Sequence, residues 1–400
     1  MNTSTWRTEP GTGRRTGVWF VGARGSVATT ATLGALAVAG GLDPGHGMVT
    51  GLPGFAGFAG IGLPGPDELV IGGHDVVAVP LAKRAEALAD AGVVPLALVR
   101  ALGAELNVVD ARLRQPDPFP GAPQQLAVEQ IVADLREFAV REGCDRVVVV
   151  NVASTEAPYE TDERHGDLAV LRAALARGPG VLPTSSLYAY AAFDAGCSFV
   201  DFTPGAGVRA IPALVQLAEK RGLPWAGSDG KTGETLVRSA LTAMFGSRAL
   251  RVRSWAGVNL LGGGDGASLA DPAARSSKTA SKRRGLAAGL GYDVDAPLHI
   301  DYVPDMGEWK TAWDHVSFDG FLGTAMSLQF TWQGCDSALA APLVLDLARL
   351  VARAQETGGA GPLGELGFFF KDPAGSDEHR LAAQFETLLS WARTLDGPTR

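Results

Sequence analysis

The sequence is poor in cysteine, with three cysteines among 400 residues. Cys144, Cys197 and Cys335 are far apart and form no C-x-x-C pair, so neither a disulfide framework nor a structural zinc site is indicated. The six histidines have no H-E-x-x-H spacing, which leaves a metal site built by the protein alone without sequence support. This cysteine usage is typical of a reducing compartment, and we expect a cytoplasmic protein.

Long hydrophobic runs and an excess of positive charge are also absent. The most apolar tract, residues 28–41, is short and contains threonines, and residues 1–16 are polar without the apolar core of a signal peptide. The formal net charge is −8 at pH 7. We therefore expect no membrane span and no signal peptide, and neither nucleic acid nor a membrane as the main partner.

Lysine is scarce, since seven of the 35 basic residues are lysines and 28 are arginines. In such a composition a lysine is of interest wherever a compact, titratable ammonium group is useful. This directs attention to Lys231, to Lys371 and to the pair Lys278 and Lys282, which are four residues apart. On a helix such a pair lies on one face, and the like charges repel unless an anion lies between them. A solvated basic stretch is the alternative interpretation.

The N-terminal part alternates strands and helices. Residues 18–21 have the pattern of an apolar strand, a glycine-rich turn follows at residues 22–26, and a helical run of small residues comes next. This order is typical of the first βαβ unit of a dinucleotide-binding fold, whose helix start can face a pyrophosphate. The G-x-G-x-x-G spacing is not met, because Arg24 and Val27 occupy glycine positions, and Asp75 lies too far along the chain for the usual ribose-binding acid. An ordinary turn between a strand and a helix is the alternative.

The alternation continues to about residue 245 and predicts an α/β protein with a Rossmann-like, doubly wound parallel sheet. Residues 146–152 are an apolar, β-branched run typical of a central strand, and polar residues follow at its carboxyl end, where such sheets bind ligands. Further along, the alternating stretches 251–260, 299–303 and 325–332 predict a second, α+β domain with a mainly antiparallel sheet.

These patterns predict two domains. Residues 1–227, completed by residues 342–400, would form the first domain, with Pro342 as the first residue of a helix. Residues 228–341 would form the second. Between its strands, residues 262–285 are rich in glycine, alanine and serine and carry several basic side chains. A long loop of this kind is either a linker or an active-site lid.

Three further segments carry candidate chemistry. Residues 231–235 open a helix after a strand, so free N–H groups, two hydroxyls and one ammonium group could surround a phosphate, whereas a helix capped by Thr232 is the plain alternative. Asp336 follows an apolar strand. Lys371 follows the aromatic residues 368–370, predicted as a strand, and an ammonium group against that apolar wall is a candidate acid or base. Neither a Walker A loop nor a G-x-S-x-G elbow is present.

Eight segments, taken in order, resemble the myo-inositol-1-phosphate synthase family in its shorter bacterial and archaeal form. They are GARGSVATT (22–30), GGHD (72–75), STE (154–156), SDGKTGET (228–235), NLLGGGDG (259–266), SKTASK (277–282), DS (336–337) and Lys371. Each segment is a weak signal alone, but eight in this order, spread over residues 17–373, are a specific one.

The resemblance implies an enzyme, an NAD-dependent isomerase that cyclises a hexose phosphate without net redox change. A hydroxyl is oxidised, the ketone is enolised, the enolate attacks the sugar's own carbonyl in an intramolecular aldol step, and the new ring ketone is reduced, so NAD is regenerated. The family's usual substrate is glucose 6-phosphate, and fructose 6-phosphate closing to a five-membered carbocycle is an alternative. A simple NAD-dependent sugar-phosphate dehydrogenase and a non-catalytic NAD-sensing protein are further alternatives.

The resemblance also gives the predicted domains their tasks. The first domain would bind NAD, and the second would carry catalysis and the oligomer contacts, with residues 262–285 as a lid that shields the enolate from water. It further implies a homotetramer assembled through the sheet of the second domain. A requirement for a monovalent or divalent cation is left open.

By position, the resemblance assigns roles to individual residues. Lys278 and Lys371 would exchange protons with the oxygen of the carbon that is oxidised and reduced, and Lys282 would stabilise the enolate. The catalytic set is Lys278, Lys282, Lys371, Asp229 and Asp336, with the aspartates orienting and charge-balancing the lysines. The residues that would line NAD are Gly22, Ala23, Arg24, Gly25, Ser26, Val27, Asp75, Ser154, Thr155 and Asp229. The residues that would hold the substrate and its phosphate are Lys231, Thr232, Gly233, Glu234, Thr235, Asn259 and Lys282.

The sequence departs from the family in two places. Gly263 and Gly264 stand where two asparagines are common, which removes amide groups that would contact phosphate or sugar. Asp301 stands where the family often has another substrate lysine, and Lys310 is the nearest candidate to replace it. The core chemistry survives both changes, and a different sugar phosphate is the alternative that they favour.

Replacement of Lys278 by alanine tests its assigned role. We expect Lys278→Ala to abolish turnover while NAD still binds, because the variant loses the acid or base at the reacting carbon and keeps the nucleotide site. The measurement is a turnover assay beside an NAD titration. Unchanged turnover would remove Lys278 from the mechanism.

Overall fold

The structure is a computed structural model that describes residues 14–56, 61–117, 119–263, 285–287 and 289–395. Lys278, Lys282 and Gly264 lie outside the described residues, as does most of the predicted lid. The described ranges contain two β-sheets with helices packed against them. No helix within these ranges is long and apolar enough to span a membrane.

The secondary structure alternates through the first two thirds of the chain. The strands are β1 (Thr16–Val21), β2 (Leu69–His74), β3 (Leu113–Arg114), β4 (Arg146–Asn151), β5 (Ser198–Asp201), β6 (Pro224–Gly227), β7 (Arg251–Leu261), β8 (Leu298–Tyr302), β9 (Trp309–Asp319), β10 (Ala325–Cys335) and β11 (Gly361–Pro362). The helices are α1 (Ser26–Ala39), α2 (Pro53–Ala56), α3 (Leu81–Asp90), α4 (Leu96–Ala101), α5 (Gly103–Asp110), α6 (Gln124–Glu142), α7 (Leu168–Arg177), α8 (Thr184–Ala195), α9 (Pro212–Arg221), α10 (Gly233–Ser247), α11 (Asp336–Glu356) and α12 (Leu381–Thr394).

The first sheet is parallel and has seven strands in the order β11-β6-β5-β4-β1-β2-β3. Strand order 3-2-1-4-5-6 is that of a doubly wound dinucleotide-binding sheet, whose order reverses between β1 and β4. All six residues of β1 and five of six in β4 are buried, as the continuous apolar runs of both strands predict. The predicted Rossmann-like sheet is confirmed.

The second sheet has four strands in the order β10-β9-β7-β8, with β9 antiparallel to both neighbours and β8 parallel to β7. The predicted mainly antiparallel sheet is confirmed, but its central strand β9 lacks a clear alternating apolar pattern in the sequence. Its buried positions alternate as expected, yet they include Lys310 and Asp314 beside Ala312 and Val316. Because two inward positions of β9 hold charged side chains, the apolar pattern of the sequence did not predict this strand. The limits of the two domains stay predictions.

Two local predictions near the C-terminus are wrong. Helix α11 begins at Asp336, and Pro342 lies inside it rather than at its first position. Residues 364–369 form a 3₁₀ helix rather than an aromatic strand, and Phe370 makes a single bridge with Gly230. At the first of these places the polar Asp336 directly follows β10 and begins the helix, earlier than the apolar pattern indicates.

An irregular excursion, residues 40–68, separates α1 from β2. Asp346 of α11 holds it in place, because its carboxylate accepts hydrogen bonds from the backbone N–H groups of Val49 and Thr50 and from the Thr50 hydroxyl. Burial raises the pKa of Asp346 to about 6. The excursion lengthens the sequence between the first two strands without changing their adjacency in the sheet.

Two adjacent glycines of β2 allow close packing on the two faces of this strand. A Cβ atom on Gly72 would lie 2.7 Å from the Phe138 ring, and one on Gly73 would meet the carbonyl oxygen of Phe20 and lie 2.7 Å from Cβ of Ala23. Distances this short require the strands or the turn to move. Gly72 therefore allows the Phe138 ring of α6 to pack against β2, and Gly73 keeps β2 in contact with β1 and the turn after it.

Gly73→Ala should lower the free energy of unfolding by about 1–3 kcal/mol, because the added methyl group overpacks the turn. Gly34→Ala is the matched control, since Gly34 lies inside α1 with no atom within 4 Å of its would-be Cβ. We expect it to raise stability by about 0.5–1 kcal/mol through helix propensity. Denaturant unfolding of both variants gives the comparison, and equal effects would contradict the packing argument.

Candidate active site

A cleft of about 1120 Å³ opens at the carboxyl ends of the parallel strands and continues to the second sheet. Ligands of doubly wound sheets bind at this edge, where the strand order reverses. Most of the residues predicted for the site and described in the structure line this cleft. They are Gly22, Arg24, Gly25, Ser26, Val27, Asp75, Ser154, Thr155, Asp229, Lys231, Thr232, Thr235, Asp336 and Lys371.

The turn between β1 and α1 is shaped to receive an anionic group. Gly22 has φ +86°, and a Cβ there would lie 2.9 Å from the backbone of Ala153 at the end of β4, so glycine is required. Gly25 precedes α1, and no side chain caps this helix start. The N–H groups of the first helical turn therefore face the cleft, as a pyrophosphate site requires.

Asp75 lies beside this turn, although its distance along the sequence argues against a ribose-binding role. Its carboxylate accepts hydrogen bonds from the backbone N–H groups of Arg24 over 2.7 Å and of Val77 over 2.8 Å. The excursion at residues 40–68 accounts for the long spacing, because β2 still pairs with β1 directly. An acid at the end of the second strand is where doubly wound folds bind a nucleotide ribose.

At the opposite wall of the cleft, residues 228–231 pair with residues 369–372. The N–H of Ser228 donates to the carbonyl oxygen of Asp372 over 2.8 Å, and that of Lys371 donates to Asp229 over 2.7 Å. Asp229 has φ +60° and turns its side chain toward Lys371. Nζ of Lys371 donates to Oδ1 of Asp229 over 2.7 Å, so the predicted catalytic lysine and aspartate form a partly buried pair.

A second pair of opposite charges lies between β9 and the start of α11. Nζ of Lys310 donates to Oδ2 of Asp336 over 3.2 Å. Lys310 is paired with Leu261 in the sheet and reaches the cleft, whereas Asp301 on β8 is exposed and outside the cleft lining. The lysine named from sequence as the nearest replacement therefore lies within the cleft.

Lys231 is the most buried lysine of the described cleft, with 5% of its surface exposed. Its Nζ donates to Oε1 of Gln384, on α12, over 2.5 Å. Burial, and to a smaller extent the positive charge of Lys371, lower the pKa of Lys231 to about 8. Gln384 was not predicted as a site residue, because it is an isolated polar residue in an amphipathic helix.

The start of α10 lies at the cleft. Thr232 is the N-cap residue, but its side chain makes no capping hydrogen bond. The simple cap considered from the sequence is therefore wrong. Gly233 has φ +56°, and a Cβ there would lie 2.8 Å from Oδ1 of Asp336, so glycine allows this carboxylate to approach. The hydroxyls of Thr232 and Thr235 line the cleft at this helix start.

Glu234 and Asn259 lie beneath the cleft rather than in its lining, as do Ala23 and Gly233. Nδ2 of Asn259 donates to Glu234 over 3.3 Å, and Glu234 forms an ion pair with Arg238 over 2.5 Å. Arg238 also donates to Asp314, which accepts from the indole N–H of Trp255 as well. Burial raises the pKa of Asp314, and the Arg238 guanidinium opposes that rise.

A buried polar chain near the nucleotide turn was not predicted. Nδ1 of His74 lies 3.0 Å from the Tyr188 hydroxyl and Nε2 lies 3.0 Å from Oδ2 of Asp134, which also pairs with Arg114. Burial raises the pKa of Tyr188. His74 and Tyr188 line the cleft. The sequence signal is the polar His74 at the end of a buried strand.

The sequence profile described as myo-inositol-1-phosphate synthase matches residues 16–393. Inositol-3-phosphate synthase 1 of Bacteroides thetaiotaomicron is 32% identical, and the match covers 93% of this chain and 92% of that protein. This chain belongs to the myo-inositol-1-phosphate synthase family. The predictions of this family and of an enzyme within it are confirmed.

Other members of the family differ in length, and a solved structure supports the fold. Inositol-3-phosphate synthase of Spirodela polyrhiza is 31% identical over 71% of this chain, which spans about three fifths (59%) of the plant protein. Inositol-3-phosphate synthase of Caenorhabditis elegans superposes with a TM-score of 0.84 at 22% identity, over 97% of this chain and 87% of that structure. At this identity the superposition shows a common fold.

The role of Asp75 gives a prediction for NAD binding. Asp75→Asn should raise the Kd for NAD about tenfold, because an amide N–H₂ would replace an oxygen that accepts from a backbone N–H group of the turn. Asp43→Asn is the control, since Asp43 accepts from the backbone of Gly45 within the excursion and does not line the cleft. Titration calorimetry with NAD compares them. Equal affinities would contradict a role of Asp75 in shaping the site.

Proposed function

We propose that this family member is an NAD-dependent cyclase that converts a hexose phosphate to a cyclitol phosphate by an intramolecular aldol reaction without net redox change. Glucose 6-phosphate is the first proposed substrate. The observation that carries the proposal is the meeting, in one cleft, of a nucleotide-type turn with two Lys-Asp pairs and an open helix start. The match to the Bacteroides enzyme over nearly its whole length supports it.

The residues present fit NAD. Gly22 and the uncapped start of α1 provide space and donors for a pyrophosphate, Asp75 stands at the strand end for a ribose, and Ser154 and Thr155 follow β4 on the same wall. When bound, NAD supplies a hydride acceptor and later a hydride donor. The side chains of this protein would bind and orient NAD and would donate and accept protons.

The pair of Lys371 and Asp229 is suited to proton exchange at the oxygen of the reacting carbon. A lysine beside a carboxylate holds its proton at Nζ and can pass it to an alkoxide, while Asp229 keeps the group oriented. Positive charge at the same place stabilises a developing oxyanion. Lys310 and Asp336 form the corresponding pair on the other wall, and we propose that Lys310 contacts the sugar or its phosphate.

Two predicted lysines complete this proposal from outside the described residues. Lys278 keeps its proposed role at the carbon that is oxidised and reduced, and Lys282 its role at the enolate. Both are expected from the resemblance. In our proposal both act at the cleft, where exclusion of water by the bound substrate would strengthen the effect of each ammonium group on an oxyanion.

The open start of α10 is the proposed phosphate site. Backbone N–H groups of its first turn, the hydroxyls of Thr232 and Thr235 and the ammonium group of Lys231 surround one region of the cleft. Glu234 and Asn259 act behind this surface in our proposal. They hold Arg238 and the base of the helix in position instead of contacting the phosphate.

Fructose 6-phosphate, closing to a five-membered ring, is the second candidate substrate. The observation that favours it is the position of Asp301, which is exposed on β8 and contributes nothing to the cleft lining, while Lys310 does. A lysine from a different strand contacts a sugar phosphate from a different direction. A simple dehydrogenase would use the same nucleotide site but would accumulate NADH.

We also propose a cytoplasmic homotetramer assembled through the second sheet. The edge strand β10 supports the assembly, because its residues 325–327 are exposed and no strand of the described ranges pairs with its outer edge.

The test is NMR of the purified protein with catalytic NAD and either glucose 6-phosphate or fructose 6-phosphate. We expect a carbocyclic phosphate from one of them without net NADH. Product from glucose 6-phosphate supports an inositol phosphate synthase, and product from fructose 6-phosphate alone supports the five-membered ring. No product, or NADH in proportion to substrate consumed, would contradict the cyclase.

Matched lysine variants tie the product to the cleft. Lys371→Gln should lower kcat by about 100-fold or more, since it removes a positioned proton donor. Lys83→Gln is the control, because Lys83 is exposed on α3 and pairs with Glu86. Equal product formation by both variants would remove Lys371 from the proposed chemistry.

A further inference from the structure

Lys231 differs from the other described lysines of the cleft in its hydrogen-bond partner. Lys371 donates to Asp229 and Lys310 to Asp336, so each has a carboxylate. The Lys231 ammonium group donates instead to the side-chain carbonyl of Gln384. A neutral amide gives direction to an ammonium group without neutralising it.

Gln384 is itself held firmly. It is 3% exposed on α12, and its amide Nε2 donates to the carbonyl oxygen of Glu378 over 2.6 Å. That second hydrogen bond settles which end of the amide faces Lys231, because the N–H₂ group is already directed to a carbonyl. The carbonyl oxygen of Gln384 therefore points at Nζ of Lys231.

The side chains around Lys231 determine how readily its ammonium group keeps its charge. Lys371 lies close enough that its positive charge disfavours the charged form of Lys231, and burial does so more strongly. Asp229 is engaged with Lys371 rather than with Lys231. The titratable or charged side chains on the surrounding elements are Asp229, Glu234, Arg238, Lys310, Asp336, Glu365, Lys371, Asp372, Asp377, Glu378, His379, Arg380, Glu386 and Arg393.

We propose that Gln384 is a positioning residue that directs the Lys231 ammonium group into the cleft and keeps it available to an anionic substrate group. This rests on the proposed function for the identity of that group. A lysine paired with a carboxylate keeps its charge, but the carboxylate offsets part of its attraction for a second anion. The neutral amide of Gln384 holds the Lys231 ammonium group without such an offset.

Two variants of Gln384 change this arrangement in opposite directions. Gln384→Glu keeps an acceptor oxygen but adds a negative charge, so the titration of Lys231 should move up by about one to three pH units. Gln384→Leu removes the acceptor, so the charged form loses a hydrogen bond and the titration should move down. Gln355→Leu is the matched control. Gln355 also accepts a side-chain hydrogen bond and donates to a backbone carbonyl, but its partners are Ser198 and Gly196 rather than Lys231.

The experiment is competitive labelling of the full chain with acetic anhydride across pH, read by mass spectrometry, without substrate. The seven lysines can all be followed, and exposed Lys83 serves as the internal reference. We expect the labelling midpoint of Lys231 to rise in Gln384→Glu, to fall in Gln384→Leu and to stay constant in Gln355→Leu. Circular dichroism checks that each variant is folded. A midpoint of Lys231 that is the same in all three variants would overturn the proposal.

The pH dependence of turnover is the second readout. If charged Lys231 binds the phosphate, kcat/KM falls as pH rises through its pKa near 8, and this fall should shift upward in Gln384→Glu and downward in Gln384→Leu. Shifted labelling without any cyclised product would leave the inference standing and reject the proposed function. Product with an unshifted pH profile in both Gln384 variants would reject the inference and leave the function standing.

Discussion

The rest of the site depends on the backbone pairing between residues 228–231 and residues 369–372. These short segments come from the two ends of the second half of the chain, and their hydrogen bonds place Asp229 against Lys371 and start α10 at the cleft. Charged groups of opposite sign can then remain partly buried, because each meets a partner. Without this pairing, partial burial of Lys371 or of Asp229 would leave an uncompensated charge and would be unfavourable.

The fold was predictable wherever burial follows chain periodicity. The continuous apolar runs of β1 and β4 and the regular return of helices predicted the parallel sheet, and the structure has it. The prediction of secondary structure failed where polar or charged residues interrupt the apolar pattern. Lys310 and Asp314 occupy inward positions of β9, so the strand does not look like one in the sequence. Pro342 was read as a helix start, whereas the chain had already turned at Asp336.

The site was predictable in its local motifs and not in its long-range contacts. The turn after β1 and the lysines and aspartates of the cleft were named from the sequence, and those that the structure describes line one cleft. Asp75 was discounted by a spacing rule, which the excursion invalidates because distance along the chain does not measure distance across a sheet. Gln384 and the ion pairs of Arg238 were missed, since an isolated polar residue carries no signal until its partner is known.

Contacts in the cleft join residues that are far apart in the chain, so their order of formation during synthesis differs from that of the central sheet. Lys371 is 142 residues from Asp229, and Gln384 is 153 residues from Lys231. Synthesis runs from the N-terminus, and contacts between distant residues form late because a long loop must close first. The emerging chain can therefore complete the central strands of the parallel sheet before either of these contacts can form. A chain interrupted before Lys371 would keep most of that sheet but would leave Asp229 and Lys231 without these two partners.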